Sequence, residues 1–177
     1  MKYLLGFIAA VVLMVIGAII FAATYNVAAS ARGSTLEFGI LHSVMRNSVR
    51  ARAGEDGRET WTEEELRKGF EQYDEMCIIC HSAPGKERRP ISKGMDPEPP
   101  NLAETSKQWT TAQLFWIIKN GIKMTGMPAF GPTHSDAEIW NLVGFVHRLP
   151  EITADKFLAM EREFGGSGDH GEHAHSH

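Results

Sequence analysis

The stretch Cys77-Ile78-Ile79-Cys80-His81 narrows what this chain can become more than any other feature. Its two cysteines are the only ones in 177 residues, and a histidine follows the second directly. Three chemistries use paired thiols at such a spacing. A structural zinc site takes four nitrogen or sulfur ligands, often from two such pairs. There is no second pair here, and His134 and His147 lack a paired spacing. A dithiol redox site follows a strand inside a parallel sheet, whereas the residues around 77–81 read as helical. Covalent haem attachment takes two thiols and an immediate histidine. Each thiol joins one vinyl group of the porphyrin, and the next residue brings an imidazole beneath the iron. This third chemistry uses both cysteines and leaves no spare thiol.

The second constraint lies at the N-terminus. Residues 4–23, LLGFIAAVVLMVIGAIIFAA, carry no charge. Twenty residues at a rise of ~1.5 Å reach ~30 Å, the thickness of a bilayer's hydrocarbon core. Signal-peptide apolar regions are shorter, ~7–15 residues. The segment therefore reads as a retained transmembrane helix. The competing reading is a cleaved signal, because Ala29-Ser30-Ala31 resembles a small-residue cleavage site. Lys2 before the span, against Arg32 after it, favours the N-terminus in the cytoplasm; Arg46, Arg50 and Arg52 pull the other way.

Charge is unevenly spread. Residues 1–53 hold five basic and one acidic residue; 54–177 hold thirteen basic and twenty-one acidic. The two parts are thus expected to meet different surroundings. An acidic main body with no long basic stripe excludes nucleic-acid binding.

Residues 35–53 have helical periodicity, with Leu36, Phe38, Ile40, Leu41, Val44, Met45 and Val49 on one broad face and Arg46 and Arg50 on the other. Two readings stand: a helix lying on the membrane surface, or a connecting helix packed on a partner subunit or on the soluble domain. AGEDGRE, 53–59, is a polar break. Capping boxes at Thr62/Glu65, Thr110/Gln113 and Ser135/Glu138 open three helices. Gly121 ends the second, and Pro150 ends the third. Thr153 opens a last helix, stopped by Gly165 and Gly166. Residues 83–101 are too rich in proline and glycine for regular helix. No strand pattern of useful length occurs, so the soluble part is predicted all-α.

An electron-transfer haem has both axial positions filled, and a thioether raises its potential. Met124 and Met127 in GIKMTGMPAFG, 121–131, are the candidates. Met127 is preferred because Gly126-Met127-Pro128 is a rigid turn that can aim a side chain inward; Met124 is the reserve. Met76, Met95 and Met160 read as packing or loop residues.

Together these residues resemble the class I c-type cytochromes over about 61–150. GFEQYDEMCIICH resembles that family's first helix, PPNL (99–102) the loop facing the proximal histidine, GMPAF the axial-methionine loop, and DAEIWNLVGFVHRLP the C-terminal helix. The resemblance implies a class I cytochrome c fold in which Cys77 and Cys80 hold one haem c. It implies His81 and Met127 as axial ligands, and a Pro100 carbonyl that accepts a hydrogen bond from His81 and fixes its tautomer. It implies an indole N–H of Trp109 reaching a haem propionate, while Trp116 reads as a core aromatic. Gly69 would allow close helix approach, with Tyr73, Trp140 and Phe145 filling the crossing.

With the N-terminal span, the chain is similar to membrane-anchored monohaem subunits of oxidases and dehydrogenases. The expected organisation is a transmembrane anchor, 1–24; a juxtamembrane amphipathic helix and linker, 25–60; the cytochrome domain, 61–150; and a C-terminal helix with a histidine-rich tail, 151–177. The expected place is the bacterial cytoplasmic membrane, single-pass, with the haem domain on the periplasmic or outer face. The expected partners are the bilayer and a membrane redox complex: an oxidase, a dehydrogenase or a quinol-oxidising complex. The chain would carry electrons rather than catalyse. The alternatives are a haem sensor or ligand-binding protein, and an accessory subunit whose tail binds metal. Two surface features stay open. Lys86, Arg88, Arg89 and Lys93, with Lys119 and Lys123, either ring an exposed haem edge and steer an acidic partner or form a solvated loop. His170, His173, His175 and His177 either bind a divalent metal or belong to a polar terminus.

Overall fold

The computed structural model describes residues 2–31 and 33–164. The histidine-rich tail and the glycines at 165 and 166 lie outside the described residues. The chain divides into two compact units, Met1–Arg32 and Gly33–His177.

The first unit is one helix, α1, Lys2–Thr24. Its stretch Tyr3–Thr24 is long and apolar enough to cross a membrane. At its end the Thr24 hydroxyl donates to the Ile20 carbonyl at 2.8 Å, and the Phe21 and Tyr25 rings meet at 5.4 Å.

Among the described residues, the regular structure of the second unit is all helical. Its elements are α2, Thr35–Arg52; α3, Glu63–Gln72; a π turn, Tyr73–Cys77; α4, Ile78–His81; α5, Pro90–Lys93; α6, Leu102–Thr105; α7, Thr111–Asn120; α8, Asp136–Arg148; and α9, Ala154–Phe164. Short 3-10 turns follow α6 and α8. All three capping boxes form, at Thr62, Thr110 and Ser135, opening α3, α7 and α8. Each satisfies backbone N–H groups that a first turn otherwise leaves unpaired. The proline- and glycine-rich segment is irregular apart from the single turn of α5.

The core is the crossing of α3 and α8. Gly69 makes it possible: a Cβ there would lie 2.2 Å from the Asn141 carbonyl oxygen. Beside it, Phe70 meets the Phe145 ring edge-on at 5.5 Å, and Tyr73 meets the same ring at 5.3 Å. α9 closes the cluster with Phe157, which is fully buried and edge-on to Phe70. Trp140 departs from expectation. Its ring stacks on Phe115 of α7 at 4.4 Å rather than filling the crossing, and its carbonyl accepts from the Trp61 indole at 2.8 Å.

α2 also departs from the face read in the sequence. Val49 is 1% exposed, so it does not share the open face of Leu36, Ile40 and Val44. Arg46 is likewise turned onto the domain: its guanidinium lies 4.8 Å from the Trp109 ring centre and donates to Gln108 Oε1 at 3.1 Å. The second half of α2 therefore belongs to the folded domain, as the connecting-helix reading requires, while its first half stays open.

Candidate functional site

The site begins with a fault in a helix. An unbroken α-helix from Thr62 would stack Cys77 one turn after Tyr73. Instead the backbone takes one π turn, in which the Ile78 N–H bonds the Tyr73 carbonyl five residues back. Tyr73 and Ile78 are then both buried, and Cys77 comes off that face to a half-buried position. π turns of this kind cluster at functional sites. The Tyr73 hydroxyl donates to the Ser82 carbonyl at 2.5 Å, tying the turn to the residue just after the histidine. Burial drives the Tyr73 phenol far above its ordinary range, and nearby Cys77 adds to this, so the hydroxyl keeps its proton. Burial also pushes the Cys77 thiol up to about 12, with Cys80 contributing. No disulfide joins the two cysteines.

His81 ends α4. Its Nδ1 lies 2.9 Å from the Pro100 carbonyl. A carbonyl only accepts, so Nδ1 carries the proton and the lone pair sits on Nε2, the nitrogen left to ligate a metal. Burial lowers the His81 pKa, the Arg88 charge lowers it further, and the bond to Pro100 acts the other way. A neutral imidazole with a fixed tautomer results, as a ligand requires.

The methionine loop follows α7. Gly121 ends that helix at φ +65°, and a Cβ there would strike the Met127 and Pro128 backbone at 2.7–2.8 Å. The loop is held by Ile122 N–H to the Met127 carbonyl, 3.2 Å, and by Met127 N–H to Thr125 Oγ1, 3.1 Å. Thr125 in turn donates to the Ile122 carbonyl at 2.7 Å. Met127 packs against the core cluster, as Cys77 does. Met124 is 89% exposed and carries a positive φ. Met95 lies against Gly126 and is half-buried.

Trp109 is half-buried under Arg46. Three residues before it, Ser106 Oγ is buried without a hydrogen-bond partner, as is Gln72 Oε1 at the end of α3. Buried hydroxyls are nearly always satisfied; the turn that carries Ser106 lies against α8 and the turn after it. Two thiols at a three-residue spacing, an imidazole with Nε2 left to ligate and an inward thioether are a donor set that fits a haem.

Among the described residues no three histidine, cysteine or carboxylate groups cluster as a metal site, so these residues offer no zinc ligand set. Two open grooves of about 380 Å³ flank the linker after α2, but neither is lined by Cys77, Cys80, His81 or Met127. Of Lys86, Arg88, Arg89, Lys93, Lys119 and Lys123, three form ion pairs. Lys86 pairs with Glu161, Arg88 with Glu98 and Lys119 with Asp136. The sequence reading missed Thr125, although a threonine two residues before Met127 is a recognisable local turn signal. It also missed Arg46 over Trp109, which no local pattern announces.

Residues 64–146 match the family described as cytochrome c oxidase, cbb3-type, subunit III. No curated protein matches the chain. The matched span runs from α3 through most of α8. It takes in the π turn, the His81–Pro100 contact and the Met127 loop, and leaves α1, α2 and α9 outside. The all-helical fold and this match over 64–146, with Cys77, Cys80 and His81 on the π turn and α4, support a class I c-type cytochrome domain.

Proposed function

We propose that the chain is a membrane-anchored one-electron carrier with a single haem joined to Cys77 and Cys80. His81 and Met127 would hold its iron, and Pro100 and Trp109 would support them. Haem-based electron transfer follows from the cytochrome domain itself. When bound, the group supplies an iron that passes between ferric and ferrous states. The observation that carries the ligand assignment is the 2.9 Å contact of His81 Nδ1 with the Pro100 carbonyl, which leaves Nε2 to bind iron. The inward packing of Met127, against the exposure of Met124, supports the second ligand. With His81 and Met127 both holding the iron, the group would supply electron transfer rather than substrate chemistry, and the chain would serve as an electron-transfer subunit.

α1 anchors the chain in the bacterial cytoplasmic membrane, and its length and apolar character support this. The cytochrome domain then stands on the outer face. The partner is a membrane redox complex, and the match to an oxidase subunit favours an oxidase over a dehydrogenase or a quinol-oxidising complex.

Absorption spectra test the site. The wild-type protein is expected to be low-spin, with the weak far-red band of sulfur bound to ferric iron. Denatured protein should keep its haem and expose no alkylatable thiol. Met127→Ala should lose the far-red band and take up carbon monoxide when reduced. Met124→Ala and Met95→Ala should keep the wild-type spectrum. A high-spin wild-type spectrum that shifts with carbon monoxide would overturn the carrier in favour of a ligand-binding haem protein.

A further inference from the structure

Leu36, Ile40, Leu41 and Val44 are each between 54% and 73% exposed. At 100° per residue they occupy an arc of about 140° over the first half of α2. The second half of the same helix is seated on the domain through Val49 and Arg46. The apolar stripe is thus the open side of an element whose other end is part of the folded protein.

We propose that this stripe lies in the headgroup–acyl boundary of a lipid bilayer, so that α2 is a second membrane contact besides α1. The inference rests on the reading that α1 crosses the membrane. Three observations select lipid as the occupant. The first is the tether. Only residues 25–34 separate α1 from α2, and ten residues reach at most ~36 Å when fully extended. The open half of α2 is also the half nearer that tether. The second is charge. Arg50 and Arg52 lie exposed at about −40° and 160° on the same wheel, one at each edge of the stripe; Glu37, the only acidic residue of α2, falls within the arc but in the first turn, where a helix N-terminus favours a carboxylate. This pattern suits an interfacial helix on anionic lipid. The third is size. Nine residues, 36–44, make about 13 Å of helix, whereas stable protein interfaces engage ~20–30 residues a side. A second copy would find too little here, but a bilayer imposes no such minimum.

The sequence offers a clean readout. Trypsin cuts after Arg32 and Arg46, so the stripe lies in the peptide Gly33–Arg46 and the body of α1 in the peptide Tyr3–Arg32. The full-length holoprotein is placed in phosphatidylcholine–phosphatidylglycerol vesicles containing a phosphatidylcholine with a photoactivatable group high in its acyl chain. After illumination, lipid adducts are mapped by mass spectrometry. Adducts on both peptides are expected, and Ile40→Glu should reduce those on Gly33–Arg46 about fivefold while the haem spectrum stays unchanged. Adducts on Tyr3–Arg32 alone would overturn the inference and leave the anchor standing. Adducts on neither would overturn both. A dimeric mass in detergent that Ile40→Glu makes monomeric, without lipid adducts on Gly33–Arg46, would overturn the inference and put a second copy on the stripe.

Discussion

At Gly69 two opposing effects meet in one side chain. Alanine is the better helix former by about 1 kcal/mol, so in an open helix Gly69→Ala would stabilise. Here the added carbon would sit 2.2 Å from the Asn141 carbonyl oxygen and 3.0 Å from Phe145 Cβ. Both belong to α8, and backbone cannot swing aside as a flexible side chain does. Overpacking of a tight core costs about 1–3 kcal/mol, so the clash should win. Guanidinium denaturation followed by helical circular dichroism should show a net loss of about 1 kcal/mol or more; an unchanged or raised midpoint would mean that α3 and α8 do not cross at Gly69. At this scale the sequence was readable where partners are local or the chemistry is distinctive. Cys77, Cys80 and His81 announce themselves, and a methionine between glycine and proline can be told from one in a solvated turn. The pairing of Arg46 with Trp109 was not readable. It joins residues 63 positions apart, and an arginine on an amphipathic helix looks like a solvent-facing one until tertiary packing turns it inward.

Among the elements, α3 is held at its start by a small polar cluster. Thr62 Oγ1 accepts the Glu65 N–H at 3.3 Å, Glu65 Oε2 accepts the Thr62 N–H at 2.9 Å, and Arg58 pairs with the same carboxylate at 2.7 Å. Removing the cap with Thr62→Ala should cost about 1 kcal/mol in denaturant unfolding. The cluster also carries a pH signature. The Arg58 hydrogen bond, then the Thr62 backbone N–H, lower the Glu65 carboxyl from 4.5 to about 2. A carboxylate depressed in the folded state stabilises fully above its unfolded value and loses that contribution as pH falls through its folded value. Stability should therefore decline from about pH 4.5 toward pH 2, with Glu64, lowered in the same range by Arg67, adding its own share. Glu65→Gln can still cap but cannot titrate, so its stability should fall less steeply across that window. Parallel pH curves for the two proteins would show that the Arg58–Glu65 pair is not formed in solution. The caps of α3, α7 and α8 were legible because a capping box is written within four residues. The π turn was not: it has no residue signature, and it arises where Tyr73 and Ile78 both gain a buried position that an α-helical register could not give them.

For the molecule as a whole, the question is what field an approaching redox partner meets. Read along the chain, Lys86, Arg88, Arg89, Lys93, Lys119 and Lys123 looked able to form a cationic collar. In the fold, α9 brings Glu161 to Lys86, the loop before Pro100 brings Glu98 to Arg88, and the start of α8 brings Asp136 to Lys119. Such surface pairs add little stability, but each cancels a positive charge that would otherwise act at long range. The segment 54–177 as a whole holds thirteen basic and twenty-one acidic residues. A multiply charged anion should therefore be repelled. With the reduced full-length protein in neutral detergent, oxidation by ferricyanide should speed up as ionic strength rises from 0.01 to 0.15 M, where the Debye length shrinks from ~30 Å to ~8 Å. A rate that instead falls with salt would mean that uncancelled lysines and arginines dominate the haem edge. An acidic partner would then be the better fit, whereas acceleration by salt favours a partner that docks by apolar contact or through its own basic groups.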